Sequence, residues 1–237
     1  MSNKGKLYLI PTTLGDNEPL EVLPLSVRKV ITDVSYFIVE NEKSARRFIK
    51  KITPRKAQDS LKIQLIDKFT PEVETQNYLE VCFEGHDVGL LSEAGNPAIA
   101  DPGATMVALA HKKNIEVIPL VGPSSILMAM MSSGFNGQNF AFNGYLPRDQ
   151  NDRKSKIKFL EKKSKTENQS QIFIETPYRN NKMLTHLLQV LTPSTMLCVA
   201  ADISLPTAFI KSYSVADWKK KKPDLNKRPC IFIIHKY

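Results

Sequence analysis

The sequence predicts an α/β protein of two domains, residues 1–120 and 121–237. The first sheet is expected to be mixed but mostly parallel, and the second sheet to be mixed. Three observations lead to this. The chain has 237 residues, which suits two small domains or one large one. Apolar runs alternate with helical periodicity in the first half, as in βαβ crossovers. In the second half, strand-like runs follow one another closely, which favours antiparallel pairing.

The first half predicts five strands separated by helices. Its short apolar runs predict strands over 7–10, 36–39, 63–66, 88–91 and 115–120. Apolar residues at helical spacing predict helices over 27–34, 45–52, 79–83 and 102–111. Gly85 is expected to end the third of these helices, because glycine adopts the left-handed conformation found after many helices.

The second half opens with a helix over 124–133 that is apolar on nearly every side. Such a helix is expected to be buried, either at the domain junction or in a subunit interface. A second, strongly amphipathic helix follows over 183–191. Strands are predicted over 140–145, 172–175, 196–201, 208–213 and 230–235.

The net charge is distributed unevenly. It is +9 overall, with 15 basic and 16 acidic residues in 1–120 against 18 and 8 in 121–237. Much of the excess lies in two clusters: Arg153, Lys154, Lys156, Lys158, Lys162, Lys163 and Lys165, then Lys219 to Lys222 with Lys227 and Arg228. A one-sided basic surface is typical of proteins that bind phosphate backbones. A solubilising helix face and loop is the alternative, and for a lysine run alone it is the commoner explanation.

Several function classes are disfavoured by absences in the sequence. No window approaches ~18 consecutive apolar residues, so no membrane span is expected, and the apolar stretch near the start is too short for a secretory signal. Three cysteines without a CxxC pair suit neither a disulfide framework nor a zinc site. They favour a cytoplasmic protein without a metal centre. Neither GxGxxG nor GxxxxGK[ST] occurs, which disfavours the common nucleotide sites.

Two stretches that follow predicted strands are candidates for a ligand site, because open parallel sheets bind ligands beyond the carboxyl ends of their strands. The stretch 90–103 concentrates glycine and proline, which permit close backbone approach and fix turns. Within it, Asp101 before a proline is interpreted as a helix N-cap. Glu93 needs another explanation, since a carboxylate right after a buried strand requires a partner. The stretch 119–125 ends in Ser124 and Ser125 at a helix start, which suits a carboxylate ligand or plain capping.

Five segments in order resemble the tetrapyrrole methylase family of class III S-adenosylmethionine-dependent methyltransferases. They are LYLIPTTLG near the start, LLSEAGNPAIADPG, PLVGPSS, FNGYLPR and FIETPYR. The resemblance implies two α/β domains with the cofactor in the cleft between them, and a homodimer. By motif, it implies cofactor contacts at Leu14, Gly95, Asn96, Ile99, Ser124, Ser125, Thr176, Ala201 and Cys230.

The most similar branch of the family methylates the ribose 2′-hydroxyl of a cytidine in small-subunit ribosomal RNA, which implies RNA as the partner. Glu40 and Glu93, at strand ends, are the candidate catalytic carboxylates that would help to deprotonate such a hydroxyl. The part of the pattern that concerns the substrate differs from this branch. The branch has Glu-Asp-Thr-Arg where this chain has Glu-Asn-Glu-Lys at 40–43, and Arg-Glu-Leu-Thr where this chain has Ala-Asp-Ile-Ser at 201–204. Two alternatives therefore stay open: a methylase of a small tetrapyrrole-like molecule, or a cofactor-binding or RNA-binding homologue without catalysis.

Overall fold

The computed structural model describes residues 4–67, 69–221 and 223–237. Lys222, the last residue of the predicted 219–222 lysine run, lies outside this part. The chain divides into two compact units, Met1–Ser124 and Ser125–Tyr237. The domain boundary predicted after residue 120 stays a prediction. No helix among the described residues has both the length and the apolar character needed to cross a membrane.

The first unit contains a five-stranded sheet in the order β3-β2-β4-β1-β5. Its strands are β1 (Leu7–Ile10), β2 (Tyr36–Val39), β3 (Lys62–Leu65), β4 (Val88–Leu91) and β5 (Val117–Pro119). Every pairing among them is parallel. The predicted, mostly parallel sheet is confirmed, and the structure makes it wholly parallel, because each strand is followed by a crossover that returns the chain to the same end.

Helices cover both faces of this sheet. They are α1 (Pro19–Val22), α2 (Leu25–Asp33), α3 (Glu42–Ile52), α4 (Glu72–Thr75) and α5 (Ala104–Lys112). The buried side chains of α2 and α3 pack with Phe37 on one face. Those of α5 pack with Ile38 on the other, as expected when successive strand residues point to opposite faces.

Two predictions about helix ends had different outcomes. The helix predicted over 79–83 is a 3-10 segment, Glu80–Glu84, and Gly85 ends it with a φ of +88°, as predicted. Asp101 is not the N-cap of α5, because the flanking residue is Gly103 and no side chain caps this helix. The N-cap interpretation of Asp101 was wrong because the turn between Asp101 and α5 is longer than the sequence indicates.

The carboxyl ends of β1 and β4 form the topological switch point of the sheet. The connection from β1 to β2 runs through α2 on one face, whereas the connection from β4 to β5 runs through α5 on the other. Because β1 and β4 are neighbours, the loops that follow them diverge to opposite faces. Ligands of open α/β sheets bind at such points.

The second unit contains a mixed sheet in the order β6-β7-β10-β8-β9. Its strands are β6 (Phe140–Tyr145), β7 (Ser170–Ile174), β8 (Met196–Ala201), β9 (Phe209–Ser214) and β10 (Cys230–His235). Its helices are α6 (Ser125–Ser133), α7 (Gln150–Glu167), α8 (Asn180–Val190) and α9 (Val215–Trp218). Only β6 and β7 pair in parallel, which confirms the predicted mixed sheet.

The apolar helix α6 is only partly buried within the chain. Ala129 and Met130 are buried, whereas Leu127 is 51% exposed and Met131 is 82% exposed. On the opposite face of the sheet, α7, α8 and α9 cover the larger core, which surrounds the fully buried Trp218. The burial expected for the whole of α6 is therefore not provided by this chain alone.

Candidate active site

Two hydrogen bonds tie the loop after β1 to the loop after β4, and a third braces the second loop internally. The Thr12 N–H donates to the Gly95 carbonyl at 2.9 Å, and the Thr12 hydroxyl donates to the Ser92 carbonyl at 3.2 Å. The Ser92 hydroxyl also donates to the Gly95 carbonyl, at 2.8 Å. Thr12 and Ser92 are buried, so these bonds form where water does not compete. They fix both loops at the switch point.

Two glycines allow the loops to pack closely. Gly95 has a φ of +76°, and a Cβ there would lie 3.1 Å from Leu14 Cδ2 and 3.3 Å from the Pro123 carbonyl oxygen. A Cβ on Gly122 would lie 2.2 Å from Pro11 Cβ. The loops after β1, β4 and β5 therefore touch one another, and Leu14 and Gly95, both predicted site residues, are in contact.

The loop after Gly95 carries unusual backbone conformations. Ala98 and Ala100 have φ values of +65° and +63°, a region that costs a non-glycine residue about 1–2 kcal/mol. Asp101 holds this shape, because its Oδ1 accepts from the N–H groups of Ala98 and Gly103, both at 2.8 Å. Ile99, between the two alanines, is 54% exposed. Strain held in place by surrounding structure is a feature of ligand-binding loops.

Three carboxylates gather beside this loop. Glu40 follows β2, and its Oε1 accepts from the Glu93 N–H at 3.4 Å. Burial, and then the negative charges of Asp101 and Glu93, raise the pKa of Glu40. Burial likewise raises the pKa of Asp101. Glu93 is exposed, and its Oε1 accepts from the Ser44 hydroxyl at 2.5 Å. The two predicted catalytic residues are thus brought together.

The site residues predicted in the second unit gather at one end of its sheet. Ala201, which ends β8, pairs with Cys230, which begins β10, and both are buried. Burial raises the pKa of the Cys230 thiol to about 12, so this side chain is a neutral packing group. Thr176 lies just beyond β7, and its N–H donates to Glu175 Oε1 at 2.8 Å. All three cysteines of the chain are buried free thiols.

Of the remaining predicted residues, Asn96 and Ser124 belong to the first unit and Ser125 begins the second. Asn96 follows Gly95, and its Oδ1 would lie 3.4 Å from a Cβ on Gly122. Ser124 and Ser125 stand at the start of α6 and are partly buried. The sequence analysis did not identify Thr12 as a site residue, and it did not predict that Asp101 would hold the 98–103 loop through hydrogen bonds. The signal for Thr12 was a hydroxyl directly after the first strand, but nothing local indicated which carbonyl it would meet.

The first-unit loops suit a cofactor that carries both an apolar ring and a positive charge. Ile99 is half-exposed and Val121 is 75% exposed, although both are apolar and lie in the loops that Gly95 and Gly122 hold together. Small residues and backbone groups between them permit close approach. The three carboxylates supply negative charge. The arrangement therefore fits S-adenosylmethionine.

A family model described as Tetrapyrrole (Corrin/Porphyrin) Methylases matches residues 6–215. The chain belongs to this family. It is an S-adenosylmethionine-dependent methyltransferase, and the resemblance drawn from the five sequence motifs is confirmed.

Curated relatives and a solved structure are similar to this chain over most of its length. "Ribosomal RNA small subunit methyltransferase I" of Thermotoga maritima is 29% identical over 92% of this chain and 94% of that protein. The protein of the same name from Vibrio cholerae is 25% identical over 98% of this chain and 77% of that protein. The crystal structure of the methyltransferase CobJ has a TM-score of 0.65 at 13% identity, and covers 98% of this chain and 94% of that one. This last likeness confirms the fold.

Proposed function

We propose that this methyltransferase acts on ribosomal RNA of the small subunit, at a ribose 2′-hydroxyl. The observation that carries the proposal is the similarity, over nearly the whole chain, to relatives named for methylating small-subunit ribosomal RNA. The excess of basic residues in the second half supports an RNA substrate, because phosphate contacts dominate the affinity of such complexes.

The first-unit loops act mainly by positioning. When bound, S-adenosylmethionine supplies an electrophilic methyl group. Ile99 and Val121 would offer apolar surface to the cofactor, and the backbone of 95–100 would allow its close approach. Ser124, Ser125, Thr176, Ala201 and Cys230 remain the other predicted cofactor contacts. Correct alignment of donor and acceptor can lower the barrier by about 7–11 kcal/mol.

Glu40 is the better of the two candidate bases. A ribose hydroxyl is a weak nucleophile, so a nearby carboxylate that accepts its proton speeds the reaction. The raised pKa of Glu40 makes it a stronger proton acceptor than an ordinary carboxylate. Glu93 already accepts a short hydrogen bond from Ser44, so we assign it the role of holding the Glu40 carboxylate through its N–H.

We also propose that the enzyme is a cytoplasmic homodimer. The family resemblance supports the dimer, and the buried free cysteines are compatible with a reducing compartment. Light scattering is expected to give twice the 26.7 kDa of one chain.

The decisive assay uses S-adenosylmethionine with a radiolabelled methyl group. It offers the enzyme three acceptors: protein-free small-subunit ribosomal RNA, assembled small subunits, and a reduced uroporphyrin. We expect label in RNA or subunits, in a dinucleotide that survives alkaline hydrolysis because its 2′-hydroxyl is blocked. Label in the tetrapyrrole instead would establish the small-molecule alternative, which is consistent with the description of the family as tetrapyrrole methylases. Cofactor binding without transfer to any acceptor would favour a homologue that has lost catalysis.

A further inference from the structure

The long helix α7 presents a line of lysines to solvent. Lys154, Lys158, Lys162 and Lys165 are all exposed, while Ile157 and Leu160 of the same helix are buried in the core. These lysines follow one another at spacings of four, four and three residues, so they share one face of the helix. We call these four residues the α7 lysine stripe.

The stripe has the dimensions of a short stretch of nucleic-acid backbone. With a rise of 1.5 Å per residue, neighbouring lysines are about 6 Å apart along the axis, and the stripe is about 16 Å long. Successive phosphates along one strand have a comparable spacing. A straight row of cations on a rigid helix can therefore meet several phosphates at once.

Within residues 4–67, 69–221 and 223–237, the lysines of the stripe are not engaged in ion pairs. None of them forms a salt bridge with any residue in the described part of the chain, whereas Lys163 of the same helix pairs with Glu167 at 3.8 Å. The acidic Glu161 of α7 is buried and accepts hydrogen bonds from Thr192 and Thr195. The positive charge of the stripe is thus available to a partner.

Helix stability does not explain the arrangement. Like charges four residues apart repel, and the stripe contains two such pairs, Lys154 with Lys158 and Lys158 with Lys162. Lys165, in the last turn, is the one member of the stripe that the macrodipole favours. Solubility needs exposed charge but no alignment. Anionic phosphates bound along the stripe would offset the repulsion between its lysines.

An exposed aromatic ring beside the stripe favours RNA over an acidic protein. Phe159 is 56% exposed, and Lys156 Nζ lies 5.2 Å from its ring centroid. Aromatic rings next to basic residues stack on unpaired bases, which acidic peptides do not offer. We propose that the α7 lysine stripe binds the phosphate backbone of the RNA substrate. This inference rests on the proposed function and adds the surface that holds the substrate.

The test compares two variants with the same change in charge. In one, Lys154, Lys158, Lys162 and Lys165 become glutamine. In the control, four exposed basic residues of the first unit become glutamine: Arg28, Lys29, Lys50 and Lys112. Small-subunit ribosomal RNA is titrated against each protein at several salt concentrations. Each lost phosphate contact makes the slope of log K against log salt concentration shallower by about 0.7–0.9. The slope of the stripe variant is therefore expected to be shallower than that of the native enzyme by about 3, and the slope of the control to change far less.

Cofactor binding and thermal unfolding are measured on the same samples. We expect both variants to bind S-adenosylmethionine as the native enzyme does, and the stripe variant to show a raised KM for RNA. If the native enzyme neither binds nor methylates RNA, the proposed function fails and the stripe proposal fails with it. If the native enzyme methylates RNA but the slope of the stripe variant equals that of the native enzyme or the control, the stripe proposal alone is overturned.

Discussion

At the scale of single residues, Glu40 shows how the end of a buried strand changes an ordinary carboxyl. Its sequence position, directly after β2, could be predicted, but its environment could not. Burial raises the Glu40 pKa most, and the charge of Asp101, sixty-one positions along the chain, adds to it only because the folded loop brings the two together. Local patterns contain no information on such a contact, which explains why Asp101 was interpreted as a helix cap.

Replacing Glu40 by glutamine should slow the enzyme and stabilise its fold. Loss of a general base typically reduces the rate by about 10²–10⁴-fold. Because folding raises the pKa of Glu40, its carboxyl group stabilises the folded state at pH values below its ordinary pKa of 4.5. This stabilisation is lost as the pH rises through the raised pKa of the folded state. The Glu40→Gln variant should therefore have a higher Tm than the native enzyme at pH 7, and the difference should vanish near pH 4. A matched control is Glu21→Gln, an exposed residue of α1. Equal Tm values at pH 7 would contradict the prediction.

Replacing Gly95 by alanine should weaken cofactor binding. The new Cβ would meet Leu14 and the Pro123 carbonyl, so the three loops would have to move apart. Gly134 is a matched control, because its φ is +75° and a Cβ there meets nothing within 4 Å. Both substitutions should lower the free energy of unfolding by roughly 1–2 kcal/mol. Only Gly95→Ala should weaken S-adenosylmethionine binding, by about tenfold or more (1.4 kcal/mol per factor of ten). Calorimetric titration of the two variants measures this, and equal affinities would refute it.

At the scale of elements, apolar periodicity was sufficient for the strands and longer helices but not for the loops between them. The predicted 36–39, 88–91, 140–145, 196–201 and 230–235 strands agree with the structure at both ends. The parallel direction of all first-unit strands and the 3-10 form of Glu80–Glu84 depend on tertiary packing. The left-handed alanines of the 95–103 loop also escaped prediction, because alanine has no local preference for that conformation.

Reversing the charge at Lys158 should separate the stability of α7 from its function. Glutamate at 158 would replace two repulsive pairs, with Lys154 and Lys162, by attractive ones, so Lys158→Glu should raise the free energy of unfolding by roughly 0.5–1 kcal/mol. It should also weaken RNA binding. Lys163→Glu makes the same charge change but breaks the pair with Glu167, and should destabilise the protein. Urea unfolding at low salt distinguishes the two. A Lys158→Glu variant that is less stable than the native enzyme would show that repulsion in the stripe is negligible.

At the scale of the whole molecule, the two halves of the sequence differ in their charge and in the composition of their loops. The first half is close to neutral and carries the glycine-rich loops of the switch point, while the second half carries the basic excess. The departures from the ribosomal RNA branch occur in both halves, at 40–43 and at 201–204. Asn41 caps α3 through Ser44, and Asp202 pairs with Arg228 at 2.7 Å. These positions thus retain structural roles even where the family motif has changed.

Thermal unfolding with and without cofactor should show whether residues of both units contribute to binding. A ligand at 100 times its Kd stabilises the folded state by about 2.7 kcal/mol, and 1 kcal/mol shifts the Tm of a protein of this size by about 2–4 °C. Leu14, Asn96 and Ile99 belong to the first unit, whereas Thr176, Ala201 and Cys230 belong to the second. If all of them contact S-adenosylmethionine, every unfolding transition seen by scanning calorimetry should shift upward, by about 5–10 °C. The Gly95→Ala variant should show a smaller shift at the same cofactor concentration. A shift confined to one of two transitions would remove the residues of the other unit from the cofactor site, because a ligand stabilises only the part of the protein to which it binds.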